Sequence, residues 1–150
     1  MAYKTYKGRY KPRHPEKYVG DVKDIVYRSL WERNAFRWID SNSSIVKWNS
    51  EGVIIPYLCE TDSKVHRYFM DLWFVTEDSK TFIVEIKPKK SLYPPSVPKR
   101  KTPRYLSESL TYVKNKSKWD AARTYAQSRG WIFQIWTEDT LKSLGIKIIS

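Results

Sequence analysis

Two apolar runs joined by the polar segment TEDSK dominate the middle of the chain, in the string YFMDLWFVTEDSKTFIVEIKPKK at residues 68–90. Both runs have strand composition and the segment between them has turn composition, so a β-hairpin is predicted. Side chains alternate between the faces of a strand, which puts Glu85 and Lys87 on one side and Val84 and Ile86 on the other. An odd-length loop within Thr76–Lys80 sets Asp71 opposite Glu85 and Val75 opposite Thr81. A two-residue turn at Asp78 and Ser79 would instead set Asp71 against Ile86 and push its charge into the apolar side. The odd loop is therefore expected. One face then carries Met70, Leu72, Phe74, Phe82, Val84 and Ile86, and the other carries Asp71, Glu85 and Lys87 among Phe69, Trp73 and Ile83. A hairpin apolar on both faces belongs in the centre of a sheet, covered on each side.

The flanking segments supply the cover. Residues 21–40 place Ile25, Phe36 and Ile39 on one face at helical spacing, with Asp21 as the expected N-cap. Glu32 falls within that face, either at its edge or directed inward, whereas Arg28, Arg33 and Arg37 fall on other faces. Residues 46–48 and 53–59 read as strands, the second edge-like or bulged because it contains Pro56. Beyond the hairpin, residues 106–129 are helical with Gly130 as a stop, residues 131–136 form a strand, and Thr137 caps a short helix in TEDTLKSLG. Strand, helix and strand in that order imply a right-handed crossover that lays the last strand parallel to its neighbour. The expected fold class is α/β, a mixed central sheet flanked by helices.

Charge changes the picture next. The 150 residues include 28 Lys and Arg against 16 Asp and Glu, a formal charge of +12, which points to a polyanionic partner; a merely solvated basic surface is the alternative. Residues 1–18 form a basic, tyrosine-rich extended arm without periodicity, disordered unless docked, and residues 19–150 a single domain. Residues 87–104 hold seven Lys and Arg, five of the eight prolines and no acid, which is the composition of a basic loop. Lys89, Lys90, Lys99, Arg100, Lys101 and Arg104 are its candidates for gripping a phosphate backbone, against the alternative of a solubilising linker. The single cysteine, Cys59, excludes an internal disulfide, and neither His14 nor His66 has a partner at metal-ligand spacing. No run approaches the roughly 18 apolar residues of a membrane span and no signal-peptide core opens the chain, so a soluble cytosolic protein without a membrane partner is expected.

The inward charges need a reason. Two carboxylates about 4 Å apart repel by about 4 kcal/mol at an effective dielectric near 20, before any cost of burial. Something positive must balance Asp71 and Glu85. Lys87 alone would make a structural salt bridge; a bound divalent cation is the second possibility. Carboxylate oxygens favour magnesium, or manganese in its place, over zinc.

The order of these features resembles the PD-(D/E)xK nuclease superfamily: a glutamate on the first helix, Asp71 in YFMDLWF, then Glu85-Ile86-Lys87 in VEIKPKK, followed by helix and strand. Met70 stands where the superfamily name has proline. More closely, the chain is similar to the head completion nucleases of large contractile-tailed phages, which are related to TnsA-type transposase endonucleases. YRSLWE, VIIPY, RYFMDLW, VEIKPKK, KW followed by AA, and TEDTLKSLG carry that similarity. The resemblance implies a restriction-endonuclease-like fold and Mg2+-dependent hydrolysis of DNA phosphodiesters, with Mn2+ as a substitute. Asp71, Glu85 and the Ile86 carbonyl would hold the cation, Glu32 would assist through a water or a second ion, and Lys87 would orient the attacking water. Gln134 would line the site from the last strand. The substrate would be double-stranded DNA, cut internally, with action on ends also open, in the cytoplasm of the infected host and at the phage head or portal. Two other functions stand beside this one: a catalytically silent DNA-binding assembly protein, and a transposon- or restriction-type endonuclease subunit.

Overall fold

The computed structural model describes residues 6–148. In chain order the elements are β1 (Gly8–Arg9), β2 (Val26–Tyr27), α1 (Leu30–Ser41), β3 (Ile45–Asn49), β4 (Ile54–Cys59), β5 (Lys64–Phe69), β6 (Leu72–Thr76), β7 (Thr81–Ile86), α2 (Pro103–Arg129), β8 (Ile132–Trp136) and α3 (Glu138–Ser143). A four-stranded sheet in the order β3-β6-β7-β8 forms the centre. Its first three strands run antiparallel, and β8 pairs parallel with β7. The fold is therefore the expected α/β class with a mixed sheet. β4 and β5 form a separate antiparallel hairpin.

The central hairpin has the odd loop. Leu72 pairs with Val84 and Val75 with Thr81, and Thr76 N–H bonds to the Lys80 carbonyl at 2.9 Å. Ser79 adopts a positive φ of 66°, as the last loop residue does when a tight turn must return the chain to a right-twisted ladder. Both faces are covered. Leu72, Phe74, Val84 and Ile86 meet Ala35, Phe36 and Ile39 of α1 and Leu141 of α3. On the opposite face Ile83 meets Trp119, Ala122 and Ala126 of α2, together with Ile55, Tyr57 and Tyr68 of the second hairpin.

Met70 departs from the expected face. It packs with Ile83 and α2, not with Leu72. Its backbone still belongs to the β4–β5 ladder, donating to Val53 O at 2.9 Å and accepting from Glu51 N at 3.0 Å. The chain then bends at Asp71, so two consecutive side chains turn to the same side. That bend is the origin of the site described below.

The first helix begins later than predicted. Asp21 does not cap it; its carboxylate accepts from Lys23 N at 2.9 Å in a local turn, and residues 26–27 are strand. The N-cap is Ser29, whose hydroxyl accepts from Glu32 N at 3.1 Å. Aliphatic β-branched residues at 22, 25 and 26 oppose helix there, and Ser29-x-x-Glu32 is the stronger start signal. At the other long helix Thr102 caps and Pro103 occupies the first turn, so proline opens α2 instead of delaying it. Gly130, at φ 71°, ends it, with Trp131 N reaching back to Ala126 O at 2.8 Å.

The described part of the basic arm is docked; Met1–Thr5 lie outside the described residues. Gly8 and Arg9 pair with Tyr27 and Val26. Asp40, 1% exposed, accepts from Tyr10 Oη at 2.6 Å, Arg13 N at 2.7 Å and His14 N at 3.1 Å. The Lys17 ammonium donates to the carbonyls of Ile39, Asp40 and Asn42, the acceptor-rich C-terminus of α1. Tyr10 and Tyr18 meet the buried Trp48 edge to face.

Candidate active site

Three carboxylates from three elements converge on one cleft of about 570 Å3. Glu32 comes from the first turn of α1, where its own N–H is held by Ser29 and its Oε1 accepts from Arg28 N at 3.1 Å. These two bonds fix it inward and resolve the two orientations its sequence position allowed. Asp71 comes from the bend before β6, and its Oδ2 accepts from Ile86 N at 2.7 Å. Where the ladder ends, a side chain replaces the backbone acceptor. Glu85 comes from β7 and is 6% exposed; its Oε1 accepts from the Tyr68 hydroxyl, and its Oε2 lies 3.9 Å from Lys87 Nζ.

Glu32 and Asp71 hold protons more tightly than free carboxylates do. Burial raises Glu32 from the ordinary 4.5 to about 7, against the opposing Arg28 N–H, with Glu51 and Glu85 adding to the rise. Burial, then the charges of Glu85 and Glu32, push Asp71 well above its usual range. Tyr68 is raised by burial and by Glu85, so at neutral pH it remains a donor. Burial is thus the main cost of charging Glu32 and Asp71, and their acidic neighbours add to it.

Lys87 faces the same cleft, as its alternation with Ile86 requires. Ile86 buries its side chain in the α1-side core, so any contribution to the cleft comes from its backbone. Lys90 also lines the cleft. Lys89 turns to α3, with its ammonium 3.1 Å from Asp139 and its N–H donating to Glu138 at 2.6 Å. Lys99, Arg100 and Lys101 are exposed on the loop, and Arg104 pairs with Glu108 at 2.9 Å at the surface.

Gln134 does not reach the site. It pairs beside Val84, whose side chain enters the opposite core, and its own Oε1 accepts from Trp136 Nε1 at 2.9 Å. Other residues take part that the strand and helix patterns did not single out. Arg28 lines the cleft from the turn before α1, not from another helix face, and its guanidinium is held by Glu51 at 3.0 Å. Tyr68 fixes Glu85, and Lys118 arrives from α2. At the far end of the β4–β5 hairpin Cys59, Asp62 and His66 also gather, with ligating atoms within 4.8 Å, a partnership that linear spacing hid for His66. Its members are already engaged: His66 with Asp62 at 2.7 Å, and Cys59 with Thr61 at 3.0 Å.

The cleft suits a hard divalent cation. The Asp71 and Glu85 carboxyls lie within hydrogen-bond reach of each other, Glu85 Oε2 has Lys87 Nζ at 3.9 Å, and every candidate ligand atom there is an oxygen. A mixed sheet that gathers such acids and a lysine at the end of its central hairpin is the frame of a nuclease. Residues 42–138 match the TnsA-like endonuclease N-terminal family, and the chain belongs to it. The match includes Asp71, Glu85 and Lys87, and Glu32 precedes it. The chain is also 44% identical over 147 residues to the head completion nuclease of Enterobacteria phage T4, covering 95% of this chain and 98% of that protein. Among the described residues no helix is long and apolar enough to cross a membrane.

Proposed function

We propose that this nuclease is a divalent-metal-dependent endonuclease that hydrolyses double-stranded DNA during the completion of a filled phage head. The convergence of Glu32, Asp71 and Glu85 with Lys87 carries the reading, because burial and mutual repulsion make that cluster costly unless a cation and a phosphate complete it. Asp71 and Glu85 would hold the ion with the Ile86 carbonyl, and Glu32 would act through a water or a second ion. When bound, magnesium, or manganese in its place, neutralises the carboxylates and polarises the scissile phosphate. Tyr68 and the Ile86 N–H fix one oxygen of each carboxylate so that the other is presented to the cleft. Lys87 orients the attacking water and offsets the negative charge that grows on the phosphorus oxygens. Lys90, with Lys99, Arg100 and Lys101 along the loop and Arg104 in the first turn of α2, neutralises flanking phosphates, an attraction indifferent to sequence, and Lys89 would join them on leaving Asp139.

The place of action follows from the relative's name, head completion nuclease. DNA at a filled head would be trimmed there before a tail joins, and docking on head or portal proteins in the infected cell would confine the activity. The test has two parts. Nicking of supercoiled plasmid should require magnesium and stop with chelator, and metal-independent nicking or none would overturn the chemistry. Phage encoding Glu85→Ala should accumulate DNA-filled heads beside unattached, normal tails; a normal yield or a block before packaging would overturn the role.

A further inference from the structure

Helix α2 delivers a second lysine to the cleft. Its buried seam of Trp119, Ala122 and Ala126 packs against the β4–β5 hairpin and Ile83, which fixes the rotation of the helix. Lys118 stands at the edge of that seam, half-buried between the buried Ser117 and Trp119, while Lys114 and Lys116 on the same helix are exposed. Its Nζ lies 5.4 Å from the ring centroid of Tyr68, the residue that binds Glu85. That ring face is its contact, and among the described residues no carboxylate pairs with it. Burial, the largest influence, lowers its pKa, and Lys87 and Lys114 add to that, whereas Glu85 and Asp71 favour the charge. Of the other cations that line the cleft, Arg28 is committed to Glu51, Lys87 lies beside Glu85, and Arg67 lies over the Phe69 ring. An ammonium held inward without an anion is placed to receive one.

We infer that Lys118 is a second catalytic lysine, whose ammonium donates a hydrogen bond to a non-bridging oxygen of the scissile phosphate and so leaves Lys87 to orient the attacking water. The inference rests on the nuclease reading above. As the water oxygen bonds to phosphorus, the bond to the leaving strand breaks with its electron pair on the leaving oxygen. That oxygen takes a proton from solvent, the attacking water releases one to solvent, and Lys118 keeps its own throughout.

A lysine that merely braces Tyr68 would look the same at rest, so the test must separate charge from packing. Lys118→Met keeps the aliphatic stem over the ring and removes the charge. Single-turnover cleavage of duplex DNA in magnesium should fall about a hundredfold, the scale of losing one oriented donor at a transition state, with the Kd for DNA in calcium unchanged. Lys118→Ala should fall similarly and recover, saturably, with added ethylammonium. Wild-type cleavage and an inactive Glu85→Ala control establish the nuclease reading independently. With those in hand, a Lys118→Met rate within threefold of wild type, a parallel loss of binding, or no response of Lys118→Ala to ethylammonium would overturn the inference.

Discussion

Replacing Glu32 by Gln should stabilise the metal-free protein, although it removes a residue of the active cleft. The folded carboxyl titrates near 7 and an unfolded one near the ordinary 4.5. Because the folded state holds that proton more tightly, the group's stabilising contribution is complete below pH 4.5 and is lost as pH rises through about 7. At about 1.4 kcal/mol for each pH unit, the loss above neutrality has an upper limit of about 3 kcal/mol. Water in the cleft screens part of it, so about 1–3 kcal/mol is expected. In a chain of 150 residues that corresponds to about 3–10 °C in Tm. Glutamine keeps the oxygen that accepts from Arg28 N–H, so the start of α1 is preserved. Urea unfolding of both proteins in chelator, from pH 4.5 to 8.5, isolates the effect as a difference. That difference should be near zero at the acid end, grow through neutrality and level off above it. Added magnesium should narrow it, since the wild type gains more from the ion. A difference that does not change with pH, or a glutamine variant less stable at pH 8, would refute the reasoning.

Asp71→Asn and Glu85→Gln should each abolish single-turnover cleavage while Tm in chelator holds or rises; unfolding of both variants would mean that the carboxylates are structural. Lys87→Ala should slow cleavage about a hundredfold and leave DNA binding in calcium intact, and equal losses in both would reduce it to a phosphate-binding group. Neutralising Lys99, Arg100, Lys101 and Arg104 to Gln should weaken binding to all duplexes alike and reduce the salt slope by about 0.9 for each phosphate that is no longer neutralised. An unchanged slope would return the loop to a solvated surface.

The hairpin register was legible because a buried charge tolerates one parity and the turn length sets it: Asp71 and Glu85 can share a side with an odd loop and not with an even one. Met70 escaped because the same counting assumes an unbroken strand, and the chain changes ladders there. The start of α1 was placed too early, at Asp21 instead of Ser29, and Arg28 was misplaced with it. Glu32 N–H on the Ser29 hydroxyl is the deciding bond, and the serine and glutamate three residues apart were its written sign. Gln134 depended on the register of two parallel strands, which no local pattern sets. Tyr68 and Lys118 depended on how α2 rotates over the second hairpin, a matter of packing between segments some 50 residues apart.

The docking of the arm shifts where the folding unit begins. Charge and periodicity draw a line near residue 18, and a fragment started there would appear to contain every active-site residue. It would also lose the backbone and hydroxyl donors that Tyr10, Arg13 and His14 supply to Asp40, and the Lys17 ammonium that closes the end of α1. A carboxylate buried among Ile39 and its neighbours would then have to find water or a proton. Trp48 would be laid open where Tyr10 and Tyr18 now lean on it. During synthesis Tyr10, Arg13 and His14 must therefore wait for Asp40 and Trp48 to follow before they find their seats. The arm is a clasp over the helix carrying Glu32.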